Sequence, residues 1–172
     1  MSTGVLTFLL QACGQPVDPN GKATDASSNT MSDPVSIRAF NGAIVCADLS
    51  DHGDLTDALI ANRNQVGPWE TFELVDLGKG KVALRAANGK YVCADRERGN
   101  VLYANRDAVG EWETFELLTL ADDVKVLRAS DGSYVCADLE ATNDHAGLLI
   151  ANRAEAKEWE SFKIEPVRGV NP

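Results

Sequence analysis

The stretch VCAD stands at Val45–Asp48, at Val92–Asp95 and again at Val135–Asp138, each time a few residues after a glycine. A cysteine at three equivalent places marks a repeated packing position, a metal site of threefold symmetry, or disulfide chemistry. The surroundings of each copy decide among these. SIRAFNGAIVCAD at Ser36–Asp48 returns as ALRAANGKYVCAD at Ala83–Asp95 and as VLRASDGSYVCAD at Val126–Asp138. Each is followed by a second motif, LIANR at Leu59–Arg63, LYANR at Leu102–Arg106 and LIANR at Leu149–Arg153. A third motif closes each unit: PWETFEL at Pro68–Leu74, EWETFEL at Glu111–Leu117 and EWESFKI at Glu158–Ile164.

The spacing holds register except in one loop. From the Asn of each ANR to the next Trp is 7 residues in every copy, and from Trp to the next leading-strand Arg is 16 both times. From the cysteine to that Asn is 16, 12 and 16 residues, so copies one and three share a four-residue excess in the same place. Each unit holds four short strand-like segments, which in the second copy are Lys81–Ala86, Tyr91–Ala94, Val101–Asn105 and Thr114–Leu120. The steps Asn41-Gly42, Asn88-Gly89 and Asp131-Gly132 between the first two segments are hairpin signals, because both residue types accept tight-turn angles. No part of the repeat carries a helical period. The class is all-β, with three four-stranded repeats in pseudo-threefold symmetry. Three units fall short of a propeller, and the absence of distinct end units argues against an open solenoid. A closed threefold barrel, the β-trefoil, requires this count.

The leading LRAxNGKYV, the central ANR and the WExFEL that precedes each new unit together resemble fascin-like β-trefoil domains, over about 35–165. The resemblance implies a trefoil and no catalytic activity, and no cofactor is expected. It also implies one of two roles: sugar binding, suspected for single modules that accompany carbohydrate-active enzymes, or filament binding, as in the tandem trefoils that bundle actin. A single acidic trefoil departs from the second pattern, since bundling needs two separated surfaces and an acidic domain meets an acidic filament poorly. Ricin-type lectins have Gln-x-Trp where this chain has Glu111-Trp112-Glu113, so their sugar-binding residues do not carry over.

The organisation expected is a signal-like segment over 1–13, a polar tether over 14–34, repeats at about 35–79, 80–122 and 123–165, and a tail over 166–172. Leu9–Cys13 resembles the end of a bacterial lipoprotein signal, with Cys13 as the residue to be acylated, although no Lys or Arg precedes the apolar run. The expectation is export and display at the cell surface, or a cytoplasmic protein if that segment is not a signal. The next residues are rich in Gly, Pro, Asn, Ser and Asp, a composition that cannot bury enough surface to offset ordering entropy.

Of 172 residues, 44% are hydrophobic, enough for a real core. The net charge is −10, of which −8 belongs to the part beyond Pro34. That acidity argues against nucleic acid and against anionic membrane surfaces, leaving the membrane only through a lipid anchor. A monomer is expected.

Residues present in all three copies are read first as fold residues. Cys46, Cys93 and Cys136 cannot all pair with one another, and a site of three cysteines lacks the ligand spacing of structural zinc. They are expected to be small buried hydrophobes, and no metal is expected. Phe72, Phe115 and Phe162 are read as core. Trp69, Trp112 and Trp159, each followed by Glu70, Glu113 or Glu160, admit two readings. Either Trp closes part of the barrel while Glu pairs with Arg63, Arg106 or Arg153, or Trp and Glu form a sugar platform. Where symmetry fails, in the longer loops at Leu49–Ala58 and Leu139–Leu148, the polar residues Asp51, His52, Asp54, Asn143, Asp144 and His145 are candidates to bind glycan hydroxyls. The neighbourhood of Asp54 lacks the ligand series of a calcium loop. The chain contains no nucleophile elbow, metalloprotease helix or phosphate-binding glycine loop. The function expected is therefore a non-catalytic carbohydrate-binding module for a glycan or polysaccharide, with a protein partner such as a filament as the alternative.

Overall fold

The computed structural model describes residues 33–168. Cys13, the signal-like segment, the tether up to residue 32 and the end of the tail lie outside the described residues. Twelve strands follow in chain order, four to a repeat. The first repeat has β1 (Val35–Arg38), β2 (Ile44–Ala47), β3 (Leu59–Arg63) and β4 (Glu73–Gly78). The second has β5 (Lys81–Arg85), β6 (Tyr91–Asp95), β7 (Val101–Arg106) and β8 (Phe115–Thr119). The third has β9 (Lys125–Ala129), β10 (Tyr134–Asp138), β11 (Leu148–Arg153) and β12 (Lys163–Pro166). In the second repeat each strand lies within a residue of its expected bounds at either end.

The pairings close into a β-trefoil. The last strand of each repeat pairs antiparallel with the first strand of the next, as β4 with β5, β8 with β9, and β12 with β1. Within each repeat the first strand also meets the start of the fourth, at Val35 with Phe72, Val82 with Phe115, and Lys125 with Phe162. These contacts complete a six-stranded ring, so the barrel has no free edge to template aggregation. The hairpins β2–β3, β6–β7 and β10–β11 form the cap, joined through β3 with β11, β11 with β7, and a bridge from Ala58 to Tyr103.

Symmetry extends to the core. Phe72, Phe115 and Phe162 are buried, as are Ile37, Leu84 and Leu127 on the first strands and Leu59, Leu102 and Leu149 on the third. Each such side chain contributes roughly 1.5–3 kcal/mol by leaving water. Val45, Val92 and Val135 point into this core, as do Ala47, Ala94 and Ala137. The cysteine between them faces the other way, by the alternation of a strand. The tryptophans are not among this core; Trp112 instead packs on a second cluster that holds Ala58, Cys93 and Tyr103. The phenylalanines, not the tryptophans, therefore fill the barrel core.

The Asn-Gly and Asp-Gly turns work differently from the expectation. Only Gly42, Gly89 and Gly132 take positive φ, at 88°, 79° and 91°. The residue before each acts through its side chain: Asn41, Asn88 and Asp131 accept from the N–H two residues on, at 3.0, 3.0 and 2.8 Å. This Asx contact holds the loop while glycine alone supplies the left-handed angle.

Candidate functional site

The repeated motifs form one network, built three times. Each cap hairpin carries a β-bulge at the same point, between Ile44 and Val45, Tyr91 and Val92, and Tyr134 and Val135. Opposite the bulge, Asn62, Asn105 and Asn152 are the extra residues. Without it, alternation would send Arg63 to the same face as the core residue Ala61. With it, Arg63 stands opposite Ile44 and reaches outward. The thiols of Cys46, Cys93 and Cys136 donate to Asn62, Asn105 and Asn152 at 3.6, 3.6 and 3.5 Å. Burial pushes all three thiols up, Cys46 from 9.0 to about 11, so they stay protonated and unreactive at neutral pH.

The carboxylates of the third motif are committed in the same way. Glu70, Glu113 and Glu160 are buried, and each accepts from the backbone N–H three residues earlier, on Gly67, Gly110 and Lys157, at 2.8 Å. Their other oxygens face the Nε of Arg63, Arg106 and Arg153 at 3.5, 3.5 and 3.6 Å. Thr71, Thr114 and Ser161 donate to the carbonyls of Gly67, Gly110 and Lys157, tying the same turn from its other end. The last residue of VCAD completes the network. Asp48, Asp95 and Asp138 each accept from the N–H two residues on, and Asp48 and Asp95 also meet Arg63 and Arg106 at 3.8 and 3.3 Å. The structural roles of Asp48, Asp95, Asp138 and the ANR asparagines escape sequence reasoning. Their threefold repetition was the available signal.

The three tryptophans differ. All are half-buried. Over Trp112 lies the guanidinium of Arg96, 5.8 Å from the ring centroid, with Arg106 at 5.9 Å. Arg96 also donates to Glu111 at 3.2 Å and to Ser130, in the next repeat's turn, at 2.7 Å. Trp159 has Arg153 at 6.0 Å from its ring centroid and lines an open groove of about 1140 Å³. Phe40, Leu120 and Val124 supply apolar wall, and Glu140, Lys157 and Glu158 supply charge. Phe40 is 55% exposed, and sequence reasoning did not single it out.

The loop candidates are divided. His52 and Asp144, from the first and third repeats, line a cleft of about 390 Å³ together with Asp48, Asn62 and Arg63. His52 Nε2 lies 3.6 Å from Asp48 Oδ2. Asp51 is used inside its own loop, where it accepts from Gly53 N–H at 3.4 Å. Asn143 and His145 contact each other, the Asn oxygen accepting from His145 N–H at 3.0 Å. Asp54 contributes its carbonyl to the Tyr103 hydroxyl at 3.1 Å, with Arg98 stacked 3.8 Å from the same ring. Among the described residues, no group of three His, Cys, Asp or Glu side chains is placed to hold a metal.

Solved structures share this fold at low sequence identity. The designed threefold-symmetric protein ThreeFoil superposes with a TM-score of 0.65 at 19% identity, covering 78% of this chain and 99% of that one. A chain of the Haemophilus ducreyi cytolethal distending toxin gives 0.63 at 18%, covering 90% of this chain and 98% of that one. The exo-β-1,3-galactanase 1,3Gal43A of Clostridium thermocellum gives 0.65 at 15%, covering 79% of this chain but only 30% of the enzyme. The β-trefoil is thus shared with part of a carbohydrate-active enzyme and with a toxin chain. No curated protein matches the chain in sequence. The profile of the FRG1-like domain matches residues 48–169, and the chain belongs to that family.

Proposed function

We propose that the chain is a non-catalytic, lectin-like module that binds a glycan. The observation that carries this reading is the open groove of about 1140 Å³, in which an aromatic wall adjoins charged and hydrogen-bonding side chains. Sugars present just those two surfaces, apolar C–H faces and a rim of hydroxyls, and aromatic rings with a few placed polar groups recognise both. The likeness to a segment of a galactanase supports the same direction. So does the use of Glu70, Glu113 and Glu160, each committed to an arginine and to a backbone N–H rather than to a reacting group. Export with acylation at Cys13 belongs to this proposal, and intact-mass measurement of the protein recovered from cells tests it.

The decisive experiment is a glycan array probed with the full chain, each hit then titrated by calorimetry and the oligosaccharide recovered for mass analysis. Saturable binding with intact sugar supports the module. Cleaved sugar overturns its non-catalytic character. The fascin likeness makes a filament or other protein the alternative partner. Silence across the array with co-sedimentation on actin filaments would replace the first reading by that one.

A further inference from the structure

Resting on the glycan reading, we infer that the chain has one principal sugar site, at the junction of the third repeat with the first, and that its ligand carries protonated amino sugars. The closed barrel sets β12 against β1, with Lys163 opposite Arg38. The turn after β1 therefore adjoins the turn before β12, and Phe40 comes to line the same groove as Trp159. Equivalent junctions lie between β4 and β5 and between β8 and β9, with Glu73 opposite Arg85 and Glu116 opposite Arg128. At those junctions the residue corresponding to Phe40 is Ala87 or Ser130. Only the third-to-first junction has an aromatic side chain on both turns. Trp159 has the guanidinium of Arg153 at 6.0 Å, the counterpart of Arg106 over Trp112, but at the Ser130 junction Arg96 adds a second guanidinium over the ring and bonds Ser130 and Glu111 across the two turns.

Packing does not account for Phe40. It is more than half exposed, and the corresponding positions show that the turn forms equally with alanine or serine. An exposed aromatic lining one groove with a second aromatic provides a platform for the apolar face of a pyranose ring.

Charge selects the sugar. Six charged residues line the groove: Glu140, Glu155, Glu158 and Glu160 against Arg153 and Lys157. Glu160 is paired with Arg153, and Glu155 with Lys157 at 3.5 Å. The carboxylates of Glu140 and Glu158 are exposed and have no ion pair among the described residues. They leave the groove a surplus of negative charge on a protein already at −10. Such a field repels uronates and sulfated sugars and attracts an ammonium group.

The test is calorimetry on the full chain with three probes: a glucosamine tetramer, its N-acetylated counterpart and a galacturonate tetramer. The glucosamine tetramer is expected to bind at one site per chain, to weaken as salt rises, and to exceed the acetylated probe several-fold; the uronate should not bind. Phe40→Ala should lower the affinity about tenfold, in line with the loss of one aromatic contact. It should melt at the wild-type temperature, which separates a lost site from a lost fold. Glu140→Gln with Glu158→Gln should remove the preference for the free amine and most of the salt dependence. Glucosamine binding unchanged by Phe40→Ala, or equal affinity for the uronate, would overturn the site while leaving the glycan reading in place. Binding that is lost instead in His52→Ala would transfer the site to the smaller cleft. Concentration-dependent self-association abolished by Phe40→Ala would assign the groove to a second copy of the chain. Failure of every saccharide on the array to bind would overturn the glycan reading itself.

Discussion

Replacing Glu113 by alanine removes a carboxylate that is 7% exposed and answers two groups at once. The larger loss is the hydrogen bond from Gly110 N–H, 2.8 Å away, since bonds to a charged acceptor contribute roughly 1.5–3 kcal/mol. The ion pair with Arg106 is long, 3.5 Å, and the arginine side chain is 37% exposed, so solvent screening leaves it about 0.5 kcal/mol. Arg106 keeps Asp95 at 3.3 Å and is not stranded without a counter-charge, which removes the heavier penalty of an orphaned buried ion. The sum is a loss of about 2–3.5 kcal/mol, or roughly 8 °C in Tm for a chain of this size. Differential scanning calorimetry at neutral pH measures it. Glu113→Gln keeps an oxygen for the Gly110 N–H and should lose only about 1 kcal/mol. Glu70→Ala and Glu160→Ala should resemble Glu113→Ala, because the same bond recurs at 2.8 Å in each repeat. An alanine variant melting within about 1 °C of wild type would refute the view that this carboxylate secures the turn.

The remaining expectations concern the thiols, a glycine and the tryptophans. The folded-state pKa of Cys46 is raised from 9.0 to about 11, with Cys93 and Cys136 shifted in the same direction by burial. For Cys46 the stabilisation is complete below pH 9 and is lost as pH rises toward 11, because the unfolded chain surrenders that proton first; Cys93 and Cys136 add to the fall in the same direction. Denaturant melts across that window should show stability falling by on the order of 2 kcal/mol for Cys46 alone, and Cys46→Ala should flatten the fall. Gly147→Ala should destabilise by more than the ~1–2 kcal/mol of a left-handed angle, because the new Cβ would meet the Ala61 carbonyl oxygen at 2.5 Å where β11 crosses β3; urea titration reads it. Trp112→Ala should cost about 2 kcal/mol in the same assay, near half the value for a fully buried ring, since Trp112 packs on the cluster of Cys93 and Tyr103. Trp159→Ala should cost less stability and more glycan affinity, and equal behaviour of the two variants in melting and binding would sink that division.

The count of three copies, their register and the hairpin signals determined the β-trefoil from sequence alone. Closing a barrel with threefold symmetry poses one packing problem three times, and a chain that solves it identically prints the answer three times. Phe72, Phe115 and Phe162 were legible for that reason. The bulge was not. It follows from which residue stands opposite which, and only the pairing of β2 with β3 reveals that Asn62 is surplus and that Arg63 is turned outward. The roles of Asp48 and Asn62 escaped because their partners are fixed by that pairing rather than by spacing.

The candidate site was the least legible part. Sequence reasoning sought it in the longer loops, where length broke the symmetry. Those loops bring His52 and Asp144 together but leave Asn143 and His145 tied to each other. Phe40 broke the symmetry by a single side chain inside a turn of unchanged length, and its groove partner Trp159 stands near the other end of the described chain. A repeat pattern specifies what each unit must share. Which substituted residue meets which is decided only when the last strand pairs with the first, because that closure alone makes neighbours of the two ends.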